Sequence, residues 1–402
     1  MNEQRARSSV PAYAWVILVV VFLASVAAPL NQFKAPPVMP LLIETFNLDL
    51  TAAGMLMSVF AMTGLILAIP AGFILQRFGP KAAGLAALSF LALGSTLGAL
   101  AGTATVLLAS RLIEGMGMGI IAVVGPAAIA MWFPAEKRGM AMGLWATWVP
   151  TGSIIMYNTA PALATSFAWQ AVWWMSTAFT LVVLALFWLT FRAPAAHELA
   201  PGSAPMTGSP AHAASLGAAM ANRHIWLLSL EFLCFNLVAL AWGTFYPTYL
   251  NTVRGYTLAS ASSTTSLIMI ATLLAAPLGG LLSDRIGSRK RMLVIPFIAM
   301  TVTLLFLFTA SGWQIPALMI LIGLVSGAIP TASFAAVPEV MAGPQLAGIG
   351  MAVLALGQNS GMFIGPVMFG KLLETMSWTA AGYWLIPVCV VGICAAWLVK
   401  VR

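Results

Sequence analysis

Lys34 and Arg111 are cations set inside long apolar runs, and a positive charge in such a place needs a reason. Lys34 lies in A-A-P-L-N-Q-F-K-A-P-P-V-M-P-L (Ala27 to Leu41), three residues after Asn31, while Arg111 is followed at three residues by Glu114. On insertion scales a Lys or Arg near the middle of a membrane-spanning helix costs ~2.5–3.5 kcal/mol, so it marks either a countercharge or a function. The chemistry such a pair suits is holding an anion. A lone acid, Glu231, stands inside another apolar run, and a buried carboxyl suits proton binding. Amides at Gln358 and Asn359, and rings at Trp145, Tyr157, Trp242 and Tyr246, add groups able to touch the body of a ligand.

Each of these residues also has a plainer reading. Lys34 has a stem long enough to reach an interface, or to meet Glu44 or Asp49 by a watery route. Arg111 and Glu114 are spaced as an ion pair along one helix. Glu231 is assigned first to a partner near the helix end, either Arg223 or a backbone group. The glycines at Gly115, Gly117, Gly119, Gly357, Gly361 and Gly365 are spaced for close helix contact.

The elements that position these residues follow from composition. Of 402 residues, 61% are hydrophobic and 7% charged, against about 25% charged in soluble domains. Apolar runs long enough to span a membrane (~20 residues) fall at 12–40, 51–76, 80–101, 104–133, 138–163, 167–191, 223–250, 257–283, 289–310, 313–339, 344–374 and 378–400. The spacing predicts an all-α integral membrane protein with twelve transmembrane helices. The first run exceeds a signal-peptide core, so it reads as an uncleaved helix. Of the eighteen Lys and Arg, fourteen fall on the side of the termini, two opposite, and Lys34 and Arg111 between. This asymmetry places both termini in the cytoplasm, as for a multi-pass protein of the plasma membrane (the inner membrane of a bacterium), and explains the net charge of +8 without nucleic acid. Cys234, Cys389 and Cys394 lack metal or redox spacing, and the three histidines lie in or beside the middle of the chain. No cofactor, metal site or nucleophile–base set is expected, so the chain does not read as an enzyme.

Residues 192–222, rich in Pro, Ala, Gly and Ser, break the pattern and read as a cytoplasmic linker between a six-helix unit at 1–191 and another at 223–402. The halves repeat. Gly72, Arg77, Gly79 and Lys81 recur as Gly280, Arg285, Gly287 and Arg289, each copy between the second and third helices of its half. Two such halves form the parallel-repeat architecture of secondary transporters.

On these motifs the chain resembles the major facilitator superfamily over its whole length. Gly280 to Lys290, with Asp284, is similar to the family's loop signature G-x-x-x-D-R-x-G-R-[KR], whereas the first copy has Gln76 in place of the Asp. Arg111 to Gly117 resembles the family's R-x-x-[QE]-G motif. Within the superfamily, Asn31 to Lys34, Gly119 to Pro126, Phe133-Pro134 and Met142 to Trp145 look most like the cyanate-permease-like group of organic-anion porters. The resemblance implies that the first, fourth, seventh and tenth helices line a central cavity, and that the two loop motifs form its cytoplasmic gate. The expected activity is uptake of a small organic anion, a mono- or dicarboxylate, by proton symport and alternating access in a monomer. Lys34, Arg111 and Asn31 would then hold the anion, with Trp145, Tyr157, Trp242, Tyr246, Gln358 and Asn359 around it and Glu114 or Glu231 carrying the proton. Counting ~1.5 Å per residue, Lys34 and Arg111 share a level ~10–12 Å toward the outside. The alternative is a proton-coupled efflux antiporter, against which the fifth helix has no Gly-Pro pair, although Gly361, Gly365 and Pro366 form a similar string in the eleventh.

Overall fold

Prolines and glycines decide where the apolar runs bend. The computed structural model describes residues 10–67, 70–194, 221–286, 288–341 and 344–401, without the side chains of 135, 136, 276–286, 289, 344, 345 and 347. Pro36 and Pro37 have no N–H, so the carbonyls of Gln32 and Phe33 lose the donors that a continuing helix would bring. Helix α1 (Ala12–Gln32) ends there, a 3-10 turn covers Pro36–Val38, and α2 (Met39–Phe46) resumes the crossing. The first span is therefore one crossing of 35 residues, Ala12–Phe46, interrupted just after its middle, and not the expected 12–40. Asn47, left-handed at φ 47°, terminates it.

The second crossing starts with α3 (Leu50–Leu67) and continues into α4 (Pro70–Ala99). Within α4, Gly79 adopts φ 76° and ψ 167°, a conformation open in practice only to glycine, and this breaks the second helix from the third. The first copy of the repeated motif thus owes its glycine to a turn. Helix α5 (Ala104–Trp132) is capped by Thr103, whose side chain accepts from Val106 N. The fifth crossing breaks at Thr147 into α6 (Ala135–Ala146) and α7 (Trp148–Phe167), and α8 (Gln170–Thr190) completes the first half.

The second half comprises α9 (Arg223–Thr252), α10 (Leu258–Ile286), α11 (Arg289–Leu304), α12 (Gln314–Val340), α13 (Pro344–Thr375), α14 (Trp378–Tyr383) and α15 (Leu385–Leu398). Among the described residues, ten segments are long and apolar enough to cross a membrane alone. The pair α6–α7 and the 16-residue α11, shorter than the expected 289–310, supply the other two of the twelve. Every regular element among the described residues is a helix, and the architecture is two pseudo-symmetric six-helix bundles. Most of the linker, 195–220, lies outside the described residues. So does Gly287 of the second motif copy, as do the side chains of Asp284, Arg285 and Arg289 and the surroundings of Gly280.

Contacts identify the two ends of the molecule. The terminal end carries Tyr13 bonded to Thr190 O, and Asn222 bonded to Val340 O. The distal end carries Phe46 against Trp169, and Tyr249 against Trp378. The described hydrogen bonds between the halves gather in the distal part. Glu374 accepts from Thr51 N (3.1 Å) and Oγ1 (2.6 Å), Asn158 Nδ2 donates to Ser266 Oγ (3.1 Å), and Tyr157 Oη donates to Gly243 O (3.4 Å). Small residues let the backbones meet there: a Cβ on Gly54 would lie 2.3 Å from Pro366 O, and one on Gly370 2.2 Å from Leu50 O. Toward the terminal end, Gly72, Gly79, Gly139 and Gly143 have nothing within 4 Å of their Cβ positions.

Distal closure should therefore yield to volume. With the native cysteines replaced and the Tyr157→Cys substitution introduced, Gly54→Val combined with Gly370→Val is expected to increase labelling of position 157 by an impermeant maleimide added from the distal side. Unchanged labelling would show that closure does not depend on those two contacts.

Candidate functional site: a buried ion triad

Helix α5 places Arg111 and Glu114 on one face, three residues apart. From there Arg111 reaches across the break in the first crossing. Its Nη1 donates to Asn31 O (2.7 Å), Nη2 to Gln32 O (2.8 Å) and Nε to Leu56 O of α3 (2.9 Å). The guanidinium lies 4.7 Å over the Phe60 ring, and Nη1 also donates to Glu114 Oε2. The Gln32 carbonyl is available because Pro36 brings it no N–H.

The other carboxylate oxygen, Glu114 Oε1, accepts from Lys34 Nζ at 2.6 Å. Lys34 also donates to Asn31 Oδ1 (2.9 Å) and Ser95 Oγ of α4 (2.8 Å), which uses all three ammonium protons. The ammonium sits 4.9 Å from the Trp173 ring of α8. Asn31 is fixed in turn by Nδ2 donating to Ala27 O (2.8 Å) and Thr180 Oγ1 (3.2 Å), and Ser95 donates to Trp173 O (2.9 Å). Gly94 makes room: a Cβ there would lie 2.6 Å from Glu114 Cγ. Lys34, Arg111 and Glu114 all have 0% exposure. Two basic side chains share one carboxylate, so the cluster has a formal surplus of one positive charge, offset by carbonyl dipoles and ring faces.

The structure brings Lys34, Arg111, Asn31 and Glu114 together, and it corrects where Lys34 points. Its countercharge is Glu114, not Glu44 or Asp49, and it does not reach a surface. Because the crossing runs to Phe46, Lys34 lies only ~7–8 Å past the midpoint at ~1.5 Å per residue. It is directed at the third and sixth crossings, α4 and α8, which pack within the first bundle. The ring of aromatics is also dispersed. Tyr246, at 0% exposure, donates to Leu307 O (3.2 Å) and is turned into the second bundle, as is Tyr249, bonded to Phe308 O (2.7 Å). Trp242 meets Tyr246 edge-on at 5.5 Å. Trp145 donates to Ser25 Oγ (2.8 Å) and stacks on Trp148 at 5.5 Å, on the first-bundle wall.

Tyr157 alone of these rings bonds across the two halves. Asn359 Nδ2 donates to Ala355 O (2.9 Å), its Oδ1 lies 2.7 Å from the Cβ position of Gly64 in the first half, and Gln358 beside it is half-buried. Glu231 pairs with Ser333 Oγ (3.0 Å) and not with Arg223. In the first loop motif, Arg77 rests 5.6 Å over the Phe78 ring and Lys81 is exposed. Ser95, Thr180, Trp173, Phe60 and Ser333 went unread in the sequence. For Ser95, Thr180 and Ser333 the only signal is a hydroxyl on an apolar helix, and for Trp173 and Phe60 a ring in an apolar run, and both recur throughout the chain.

Residues 21–275 and 255–402 match the family model of the Major Facilitator Superfamily. The chain is 25% identical over 376 residues to the probable sulfoacetate transporter SauU of Cupriavidus necator, covering 89% of this chain and 87% of that one. It is 24% identical over 380 residues to the hexuronate transporter of Bacillus subtilis, with coverage of 89% and 87%. Among solved structures it superposes with a TM-score of 0.76 and 17% identity on a bacterial homolog of the human lysosomal transporter Spinster, inward-facing and unoccupied, over 96% of each chain.

The triad makes a prediction for stability. Glu114→Ala strands two buried cations and should cost ~3–5 kcal/mol. Lys34→Met leaves the Arg111–Glu114 pair intact and should cost less. Thermal unfolding of the purified variants in detergent measures the order; equal losses would deny Glu114 its central place.

Proposed function

Since the chain belongs to the Major Facilitator Superfamily, we propose that it is a secondary active transporter taking up a small organic anion, of the mono- or dicarboxylate kind, by alternating access and proton symport. The observation that carries this reading is the surplus positive charge of the triad. A unit charge acting over ~10 Å at an effective dielectric of about 20 contributes ~1.7 kcal/mol, enough to select the sign of a solute without touching it. Both relatives named above are named for organic anions, which supports the same class. In this reading Lys34 and Arg111 supply the field from within the first bundle, and Asn31 holds the Lys34 ammonium in place. Trp145, Tyr157, Trp242, Gln358 and Asn359 lie against the body of the solute, and Tyr246 stiffens the second bundle behind Trp242.

The excess of Lys and Arg on the terminal side assigns that end to the cytoplasm and the protein to the plasma membrane. The distal contacts then form the closed outer gate, and residues 72–81 and 280–291 the cytoplasmic one. The monomer suffices, since the path lies between its own halves. An efflux antiporter is less well supported: at Gly361 and Gly365 a Cβ would meet Leu233 O at 2.3 Å and Leu237 O at 2.4 Å, so that string serves helix packing.

Proteoliposomes test the proposal. Labelled sulfoacetate or glucuronate should accumulate under an inward proton gradient, while glucose should not. Lys34→Gln should weaken anion affinity by on the order of tenfold, the factor given by the loss of one unit of field. Preference for the neutral sugar, or an affinity unmoved by Lys34→Gln, would sink the reading.

A further inference from the structure

Among the described residues Glu231 belongs to no ion pair, and its surroundings show what form it takes. It stands in α9, fully buried, with Oε2 3.0 Å from Ser333 Oγ of α12 and Oε1 without a partner. Ser333 Oγ also lies 2.9 Å from Ile329 O. A hydroxyl has one proton and cannot serve both oxygens at once. If that proton goes to Ile329 O, only the carboxyl's own proton can fill the contact between Oε2 and Ser333. If it goes to Glu231, a carboxylate is left with one hydrogen bond and one bare oxygen in an apolar shell, a far costlier state than a neutral acid.

The described groups facing the carboxyl supply no countercharge. On α9 the titratable neighbour is the Cys234 thiol, and behind it Cys389 of α15. From α12 come Ser333 and Phe334, the latter edge-on to Phe232 at 5.4 Å, and α13 contributes Val353 O, which accepts from Ser229. Among the described residues no Lys, Arg or His lies within ion-pair distance of it. The contact also spans a seam, because α9 packs chiefly on α13 and α15 while α12 packs chiefly on α10.

We infer that Glu231 is a proton-carrying site of the second bundle: a neutral acid donating to Ser333 in the conformation seen here, which gives its proton to water when α9 and α12 part. This assignment rests on the symport reading above. The O–H bond of the carboxyl breaks, water takes the proton, and the carboxylate is re-protonated from the opposite side in the next half-cycle.

Two readouts on the purified full-length chain decide it. In infrared spectra of the protein in lipid, a carbonyl stretch of a protonated carboxyl should be present at neutral pH and lost in Glu231→Gln. In proteoliposomes, Glu231→Gln should keep sulfoacetate or glucuronate counterflow but lose accumulation driven by a pH gradient, falling to the equilibrium level. Gln fills the same volume and still hydrogen-bonds Ser333, so retained counterflow also certifies the fold. A band unchanged in the variant overturns the assignment, and so does gradient-driven accumulation that persists in it. If neither anion enters liposomes carrying the wild-type chain, the proposed function fails instead, and the infrared band alone decides whether Glu231 holds a proton.

Discussion

One carboxylate shared by two cations sets the geometry of the first bundle. Glu114 cannot be moved without stranding Lys34 and Arg111, and neither cation has water to fall back on. Through their other bonds the three residues tie α1, α3, α4, α5 and α8 together. Five helices meeting at one charge cluster leave little freedom for any of them to slide alone. In a bundle whose packing is otherwise apolar, and so weakly directional, such a cluster fixes register in a way that Leu against Leu does not.

The two halves repeat in architecture but not in chemistry. The offset of the loop motifs shows a common plan, yet among the described buried side chains the first bundle concentrates charge while the second holds one carboxyl, Glu231, beside a serine. Between them the contacts are of another kind: glycines against carbonyls and a few hydrogen bonds, toward the distal end. Contacts of that type exchange cheaply for lipid or water, whereas the triad does not. The first bundle is therefore stiff within itself and lightly held against the second, as rigid-body rocking requires.

Much of this was legible in the residues. The apolar runs, the linker and the repeated glycine motif gave the architecture, and the three-residue spacing of Arg111 and Glu114 gave half of the triad. Pro36 and Pro37 lack the N–H groups a continuing helix needs, so the unwinding and the freed carbonyls follow from residue type alone. What could not be read was direction. A helix that is apolar all round has no stripe to show which face turns inward, so Lys34 and Tyr246 were expected at a cavity wall when one faces α4 and α8 and the other faces Leu307. Nor does any local pattern join Lys34 to Glu114, 80 residues away. The expected depth of Lys34 erred for a related reason, since prolines that interrupt a helix do not have to end the crossing.

The break at Pro36 has a consequence for how the first bundle tolerates change. Arg111 grips residues 31 and 32 by their main-chain oxygens, so the side chain at position 32 is irrelevant to that grip. Gln32 can drift in identity without loosening it. The residue that governs the contact sits four positions later and touches none of the charges: any other amino acid at Pro36 would restore an N–H aimed at the Gln32 carbonyl and set the backbone competing with the guanidinium. The integrity of an electrostatic cluster is thus encoded partly in an imino acid, at a distance and without charge.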